Sequence, residues 1–178
     1  LTNRIGWDKK WYTYANSKII KNKFSYNKFS FNNEDYLFNI NDYPYLNNYP
    51  KSFQPAGQKF ALKYLKSFVK ERAKLYNYNI SKPDMSRISC SRLSTYLAWG
   101  NISVRFVYQY IKNSTYHNKN KSQFTSFISR LKWRSHFIQK FETNCSYEFA
   151  CINKGYEKMK YNNNNVLLKN WKLGKTGF

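Results

Sequence analysis

The chain has 178 residues and a formal net charge of +22, from 31 Lys and Arg against 9 Asp and Glu, with 20% aromatic residues. That length allows one compact domain, or part of a larger one, and excludes two complete domains of ordinary size. Positive charge combined with aromatic rings suits a partner with phosphates and stackable bases, so nucleic acid is the first expectation. The excess of Lys, Asn, Tyr, Phe and Ile is also what AT-rich coding produces, which makes the scarcer arginines the better clues. These are Arg4, Arg72, Arg87, Arg92, Arg105, Arg130 and Arg134, each offering a planar fork of donors to phosphate.

Residues 1 to about 49 are rich in Asn and Tyr and show only a short helical hint around Trp7, Trp11 and Tyr14. They read as an extended connector packing by its aromatics. Pro50, Pro55 and Gly57 mark a boundary. Phe60, Ala61, Tyr64, Leu65, Phe68, Val69 and Ala73 then recur at three- and four-residue steps, which predicts an amphipathic helix from Gln58 to about Tyr76 with a solvated Lys face. A loop holding Pro83 follows. A short helix is predicted from Ser91 to Gly100, and Ser103 caps another that carries Phe106, Val107, Tyr110 and Ile111. After a polar loop, Ser122 opens the longest helical pattern, running to Phe141. Tyr161 to Val166 is a low-complexity loop, and "NWKLGKTGF" reads as an exposed turn. Every element read is helical.

Two stretches could carry chemistry. The hydroxyls of Ser89, Ser91 and Ser94, with Arg92 and the N–H groups of a helix start, form either an anion cradle or an ordinary capped helix with a surface arginine. On the long helix, Arg130, Trp133, Arg134 and Phe137 lie three or four residues apart. They form either a cationic face with a stacking plate for a base or a second core stripe with snorkelling arginines. Other motifs fail. Cys90, Cys145 and Cys151 have no CxxC spacing and make no metal set with His117 or His136, so free thiols are expected. "LGKTG" has Lys169 where a phosphate-binding loop needs its first glycine. No serine sits in a nucleophile elbow with an activating histidine and carboxylate, and no paired carboxylates stand out for hydrolysis. No catalytic residue is assigned; any chemistry would be a cofactor's. No apolar run approaches the roughly 20 residues that cross a bilayer, so a soluble cytoplasmic protein is expected. The start at Leu1 and the end on "GKTGF" suggest a fragment.

The stretch "SRLSTYLAWGNISVR" closely resembles the signature of the photolyase/cryptochrome family, in which a Ser-Arg-Leu-Ser run holds the flavin diphosphate. "NRIGWDKKWYTY", "FQPAGQKFALKYLKSF", "RLKWRSHFIQKFE" and "WKLGKTGF" match in the family's order. The resemblance implies a mainly α fold: residues 1–54 as interdomain connector and 55–178 as the first part of an all-helical FAD-binding domain. An N-terminal domain that can carry an antenna pigment, and the later helices, would lie outside this chain. It further implies that Cys90, Ser91, Arg92, Leu93 and Ser94 lie on the diphosphate run, with Cys90 where threonine is common. Tyr76 matches a tyrosine near the flavin, with Tyr78 as the alternative. Phe127 stands for an aromatic of the flavin pocket, and Trp133 and Arg134 match a Trp-Arg pair facing lesion and flavin. Lys82, Arg130 and Trp133 are the expected contacts to UV-damaged DNA. Arg130 replaces a glutamate found in many dimer-repairing members. The implied function is blue-light repair of pyrimidine dimers by a monomer with reduced FAD. The alternatives are a cryptochrome-like photoreceptor that signals through a protein partner and an inactive helical DNA-binding remnant.

Overall fold

The computed structural model describes residues 5–20, 39–48, 50, 53–160 and 163–177. Arg4, Tyr49, residues 21–38 of the expected connector and the first residues of the Asn-rich loop, Tyr161 and Asn162, lie outside the described residues. Among those described there are helices and no strand. They are α1 (Trp7–Asn16), α2 (Gln58–Lys70), α3 (Tyr76–Asn79), α4 (Pro83–Ser89), α5 (Ser94–Ala98), α6 (Val104–Lys112), α7 (Lys121–Thr143) and α8 (Asn165–Lys172), with short 3-10 turns between several of them. Thr2–Ser135 and His136–Phe178 form two compact units.

The core belongs to the first unit. The inner face of α2 presents Ala61, Leu65, Phe68 and Val69, all buried, as its three- and four-residue steps require. Phe68 is the hub. Its ring meets Tyr76 edge-on at 5.7 Å, Phe124 edge-on at 6.1 Å and Phe127 tilted at 4.9 Å, while Tyr76 meets Phe127 edge-on at 5.8 Å. Aromatic quadrupoles favour such edge-to-face arrangements over face-to-face stacking. Burial pushes the Tyr76 phenol up to about 12, and the neighbouring Cys90 adds to the shift while Arg130 opposes it.

The helical hint near the N-terminus proves to be a full helix inside the core. Trp7, Trp11 and Ala15 of α1 are buried. The Trp11 ring stands edge-on to Tyr108 at 5.6 Å, and its indole N–H donates to Ser135 Oγ at 3.2 Å. The Gln109 amide donates to the carbonyls of Ala15 and Ser17, both at 2.8 Å, and so satisfies groups at the C-terminal end of α1 from α6.

Sequence periodicity and structure part company at four places. The helix predicted to about Tyr76 stops at Lys70. Glu71 leaves helical geometry at φ −132, ψ −56, and a 3-10 turn at Arg72–Leu75 follows before α3. Here the Arg72 guanidinium turns back onto backbone carbonyls. The loop expected around Pro83 is α4, because proline suits the first helical position and Asp84 favours the first turn. The helix expected from Ser91 begins only at Ser94, since Arg92 is left-handed at φ 57 and cannot continue a helical turn. The expected C-terminal turn contains α8, capped by Asn164 Oδ1, which accepts from the N–H groups of Val166 at 2.9 Å and Leu167 at 3.1 Å. The cap predicted at Ser103 is present, its Oγ accepting from Phe106 N–H at 3.1 Å.

Phe68→Ala is expected to cost about 3–5 kcal/mol of unfolding free energy in a urea titration, through loss of the ring and the cavity it leaves. Tyr76 gives a pH signature. The unfolded phenol ionises near 10 and the folded one near 12, so the stability that Tyr76 contributes is complete below pH 10 and is lost as pH rises toward 12. Tyr76→Phe should therefore flatten the fall of the melting temperature between pH 10 and 12.

Candidate flavin-phosphate loop

The loop from Ser89 to Ser94 is built around an arginine outside it. Arg72 is half-buried, and its guanidinium donates to the carbonyl of Tyr64 at 2.7 Å, to that of Ser91 at 3.2 Å, to that of Cys90, and to Ser67 Oγ at 3.2 Å. It also lies over the rings of Tyr64 and Phe68. Burial holds the Arg72 guanidinium below its usual range, and the nearby Arg92 cation adds to this, opposed by Tyr64 and Cys90. No carboxylate contributes, and the sequence has none between Asp84 and Glu142. Arg72 thus fixes the loop through backbone dipoles and leaves the local positive charge unneutralised.

Within the loop the predicted residues divide. Ser89 is turned inward, its hydroxyl accepting from buried Asn79 Nδ2 at 2.7 Å, which removes it from any surface cradle. Ser91 is buried, and its Oγ accepts from Leu93 N–H at 3.3 Å. Leu93 is a core residue at 1% exposure. Arg92 and Ser94 face outward. Arg92 exchanges two hydrogen bonds with Gln54: Nε donates to Oε1 at 3.1 Å and Gln54 Nε2 donates to the Arg92 carbonyl at 2.8 Å. The terminal guanidinium nitrogens of Arg92 carry no hydrogen bond among the described residues. Burial pushes the Cys90 thiol up, against the pull of Arg72, so it stays protonated and can act only as a weak donor.

Tyr76 and Phe127 are both buried and pack on one another, and Tyr76 lies within electrostatic reach of Cys90 in the loop. The alternative tyrosine, Tyr78, is exposed, and Lys82 Nζ stands 3.4 Å from its ring centroid. On α7, Arg134 Nη2 donates to the Leu97 carbonyl at 3.0 Å and ties α7 to α5. Arg130 is exposed, and Trp133 remains 46% exposed. Arg130 and Trp133 thus lie on the exposed side of α7, whereas Arg134 turns a donor inward to α5. Sequence reading missed Gln54 and gave Arg72 no role. Arg72's place among the few arginines was the one signal; nothing in the sequence marks Gln54 as the partner of Arg92.

A cavity of about 530 Å³ opens beside the loop, lined by Phe53, Gln54, Arg92, Thr95, Trp99 and Asn101 among others. Its donor set of a guanidinium, a hydroxyl and amides suits a phosphate-bearing ligand. Because α5 has only five residues, the attraction for an anion comes from Arg92 and the surrounding cations, with little from a helix dipole. The residues present fit the diphosphate end of a dinucleotide cofactor.

The family described as "FAD binding domain of DNA photolyase" matches residues 127–178. A "Deoxyribodipyrimidine photo-lyase" of Alkalihalophilus pseudofirmus is 30% identical over 124 residues, covering 68% of this chain and 24% of the relative. A "(6-4)DNA photolyase" of Arabidopsis thaliana is 28% identical over 127 residues, covering 68% of this chain and 23% of the relative. The chain therefore spans about a quarter of the length of the curated relatives it matches. No solved structure matches it significantly. With its all-helical fold, the matched FAD-domain segment and these two relatives, the chain belongs to the photolyase/cryptochrome family.

Proposed function

We propose that this chain is the flavin-phosphate-holding part of a DNA photolyase that acts on UV-damaged DNA, with residues 1–54 as connector and 55–178 as the start of the FAD-binding domain. The observation that carries the reading is the unneutralised, half-buried guanidinium of Arg92, on a left-handed backbone fixed by Gln54 and by the bonds of Arg72 to the preceding carbonyls, in a stretch without carboxylates. FAD, when bound in reduced form, would supply light absorption and a transferable electron. Arg92 and Ser94 would hold its diphosphate, with Cys90 as a weak neutral donor. Ser91 and Leu93 would serve from below, one by fixing the loop's N–H groups and the other by anchoring it in the core. Tyr76, Phe127 and Arg134 would form the rigid wall between that loop and α7.

On the outer face of α7, Trp133 would offer its half-exposed ring to a base taken out of the duplex, and Arg130 and Lys82 would contact flanking phosphates. The protein would work as a cytoplasmic monomer, with an antenna pigment carried outside this chain. A photoreceptor that binds the same flavin without repair is the second reading. Arg130 favours it, since a cation there replaces the carboxylate that the resemblance places against the lesion bases.

Arg92→Gly separates binding from folding. Glycine adopts the left-handed backbone without strain, which offsets the loss of the Gln54 bond, so the flavin-free protein should keep its melting temperature within a few degrees. Flavin affinity of the whole protein should fall roughly 10- to 100-fold, as expected for loss of charged hydrogen bonds; unchanged affinity would remove Arg92 from the site. Trp133→Ala should weaken binding to dimer-containing DNA by about 5- to 100-fold in a titration. Blue-light-dependent loss of pyrimidine dimers from irradiated DNA, measured with the whole reduced protein, establishes repair. Bound flavin without loss of cyclobutane dimers or (6-4) products establishes the photoreceptor reading.

A further inference from the structure

Four lysines of α2, Lys59, Lys63, Lys66 and Lys70, are all exposed and follow one another at steps of four, three and four. At about 100° per residue they fall within a 60° arc, on the side away from Ala61, Leu65 and Phe68. From first to last the row extends about 16 Å along the helix axis. Among the described residues its one ion pair is Lys70 to Glu71 at 3.4 Å, between exposed side chains, where such a pair holds little free energy. Charge at this density, repeated at each turn and largely without counter-charge, repels itself unless an anion runs alongside.

A row of exposed lysines is commonly no more than a solvated face, and here a second feature distinguishes it. Along its edge, between α2 and α6, lies a groove of about 620 Å³. Lys66 and Lys70 form one rim, and Val69, Phe106, Tyr110 and Tyr116 are among the residues lining it. Phe106 and Tyr110 lie near-parallel, at 25° with centroids 6.1 Å apart. Asn113, Ser114 and Thr115 also line the groove, bringing amide and hydroxyl groups to it. No residue that lines this groove lines the cavity at Arg92.

We propose that the α2–α6 groove binds a single-stranded nucleic acid independently of any lesion, with the lysine row following the sugar-phosphate backbone and the aromatic floor taking up bases. A linear row of evenly spaced cations matches a polyanion of regular charge repeat. Aromatic rings beside it match planar bases, and stacking tolerates any base sequence. An acidic peptide would use the same lysines, but it has no need of the ring at Tyr110.

The test is the binding of a fluorescent oligothymidylate, free of dimers, to the flavin-free 178-residue chain over a range of salt concentrations. Replacing Lys59, Lys63, Lys66 and Lys70 together by Gln should make the slope of log K against log salt shallower by about 2 to 3, the release expected for four contacts on a single strand. The same replacement at Lys119, Lys121, Lys154 and Lys169, which are exposed elsewhere, should leave the slope nearly unchanged. Tyr110→Leu, which keeps an apolar side chain in the groove wall, should weaken binding about 5- to 100-fold with the slope retained. An unchanged slope in the first variant, or an equal change in the two lysine sets, overturns the proposal. So does Tyr110→Leu binding at full strength while polyglutamate of equal charge displaces the oligonucleotide, a result that assigns the row to acidic peptides. Flavin affinity of the whole protein carrying the same four lysine replacements should match that of the unaltered whole protein. Failure of the flavin reading and failure of this one are therefore seen separately.

Discussion

A guanidinium taken partly out of water with no carboxylate beside it has to be met by dipoles, and in this chain that requirement organises the structure around Arg72. Its donors reach the backbone of α2 at Tyr64 and the backbone of the following loop at Cys90 and Ser91, across a chain separation of up to 19 residues. Several consequences follow from one side chain. α2 must end at Lys70 for Arg72 to turn back on it. Carbonyls of the Cys90–Ser91 stretch are consumed internally, and the next residue is forced outward on a strained backbone. The charge itself stays in place, because carbonyl oxygens solvate a cation without neutralising it.

The loop and the core depend on each other through the same residues. Phe68 lies beneath Arg72 as well as at the centre of the aromatic cluster, so the ring that holds Tyr76 and Phe127 also supports the guanidinium that fixes the loop. Tyr76 links the two by its position, buried among rings yet within electrostatic reach of Cys90 and Arg130. A ligand at the loop would therefore meet a surface held by the buried aromatic cluster of the core. Such a scaffold loses little conformational freedom when it binds.

Much of this was legible in the sequence where a face is buried. The three- and four-residue steps of α2 and α7, and the Ser103 cap, required only local periodicity and one hydrogen bond. The family resemblance rested on the Ser-Arg-Leu-Ser run with four further stretches in order, and every element read from periodicity was already helical. What escaped depended on partners far away in the chain. Glu71 breaks α2 because of carbonyls beyond residue 89, and nothing within a helical window records that. Arg92 is left-handed although arginine has no preference for it, since Gln54 and Arg72 impose the geometry from outside. α4 could have been read from Pro83 and Asp84, whose positional preferences outweighed the impression of a loop. α8 was hidden because its capping Asn164 is one of a run of asparagines in a segment that composition marks as irregular.

The bond from Trp11 to Ser135 bears on how the molecule is made. It joins residues 124 positions apart, so α1 leaves the ribosome well before the helix it bonds to exists. At a synthesis rate of roughly 5–20 residues per second, the two tryptophans of α1 wait about 6–25 s for α7 to exist. Throughout that interval an indole surface destined for the core is open to water and to other nascent chains. Two tryptophans one helical turn apart, made long before α7, are thus a natural place for a chaperone to hold this polypeptide until its partner helix arrives.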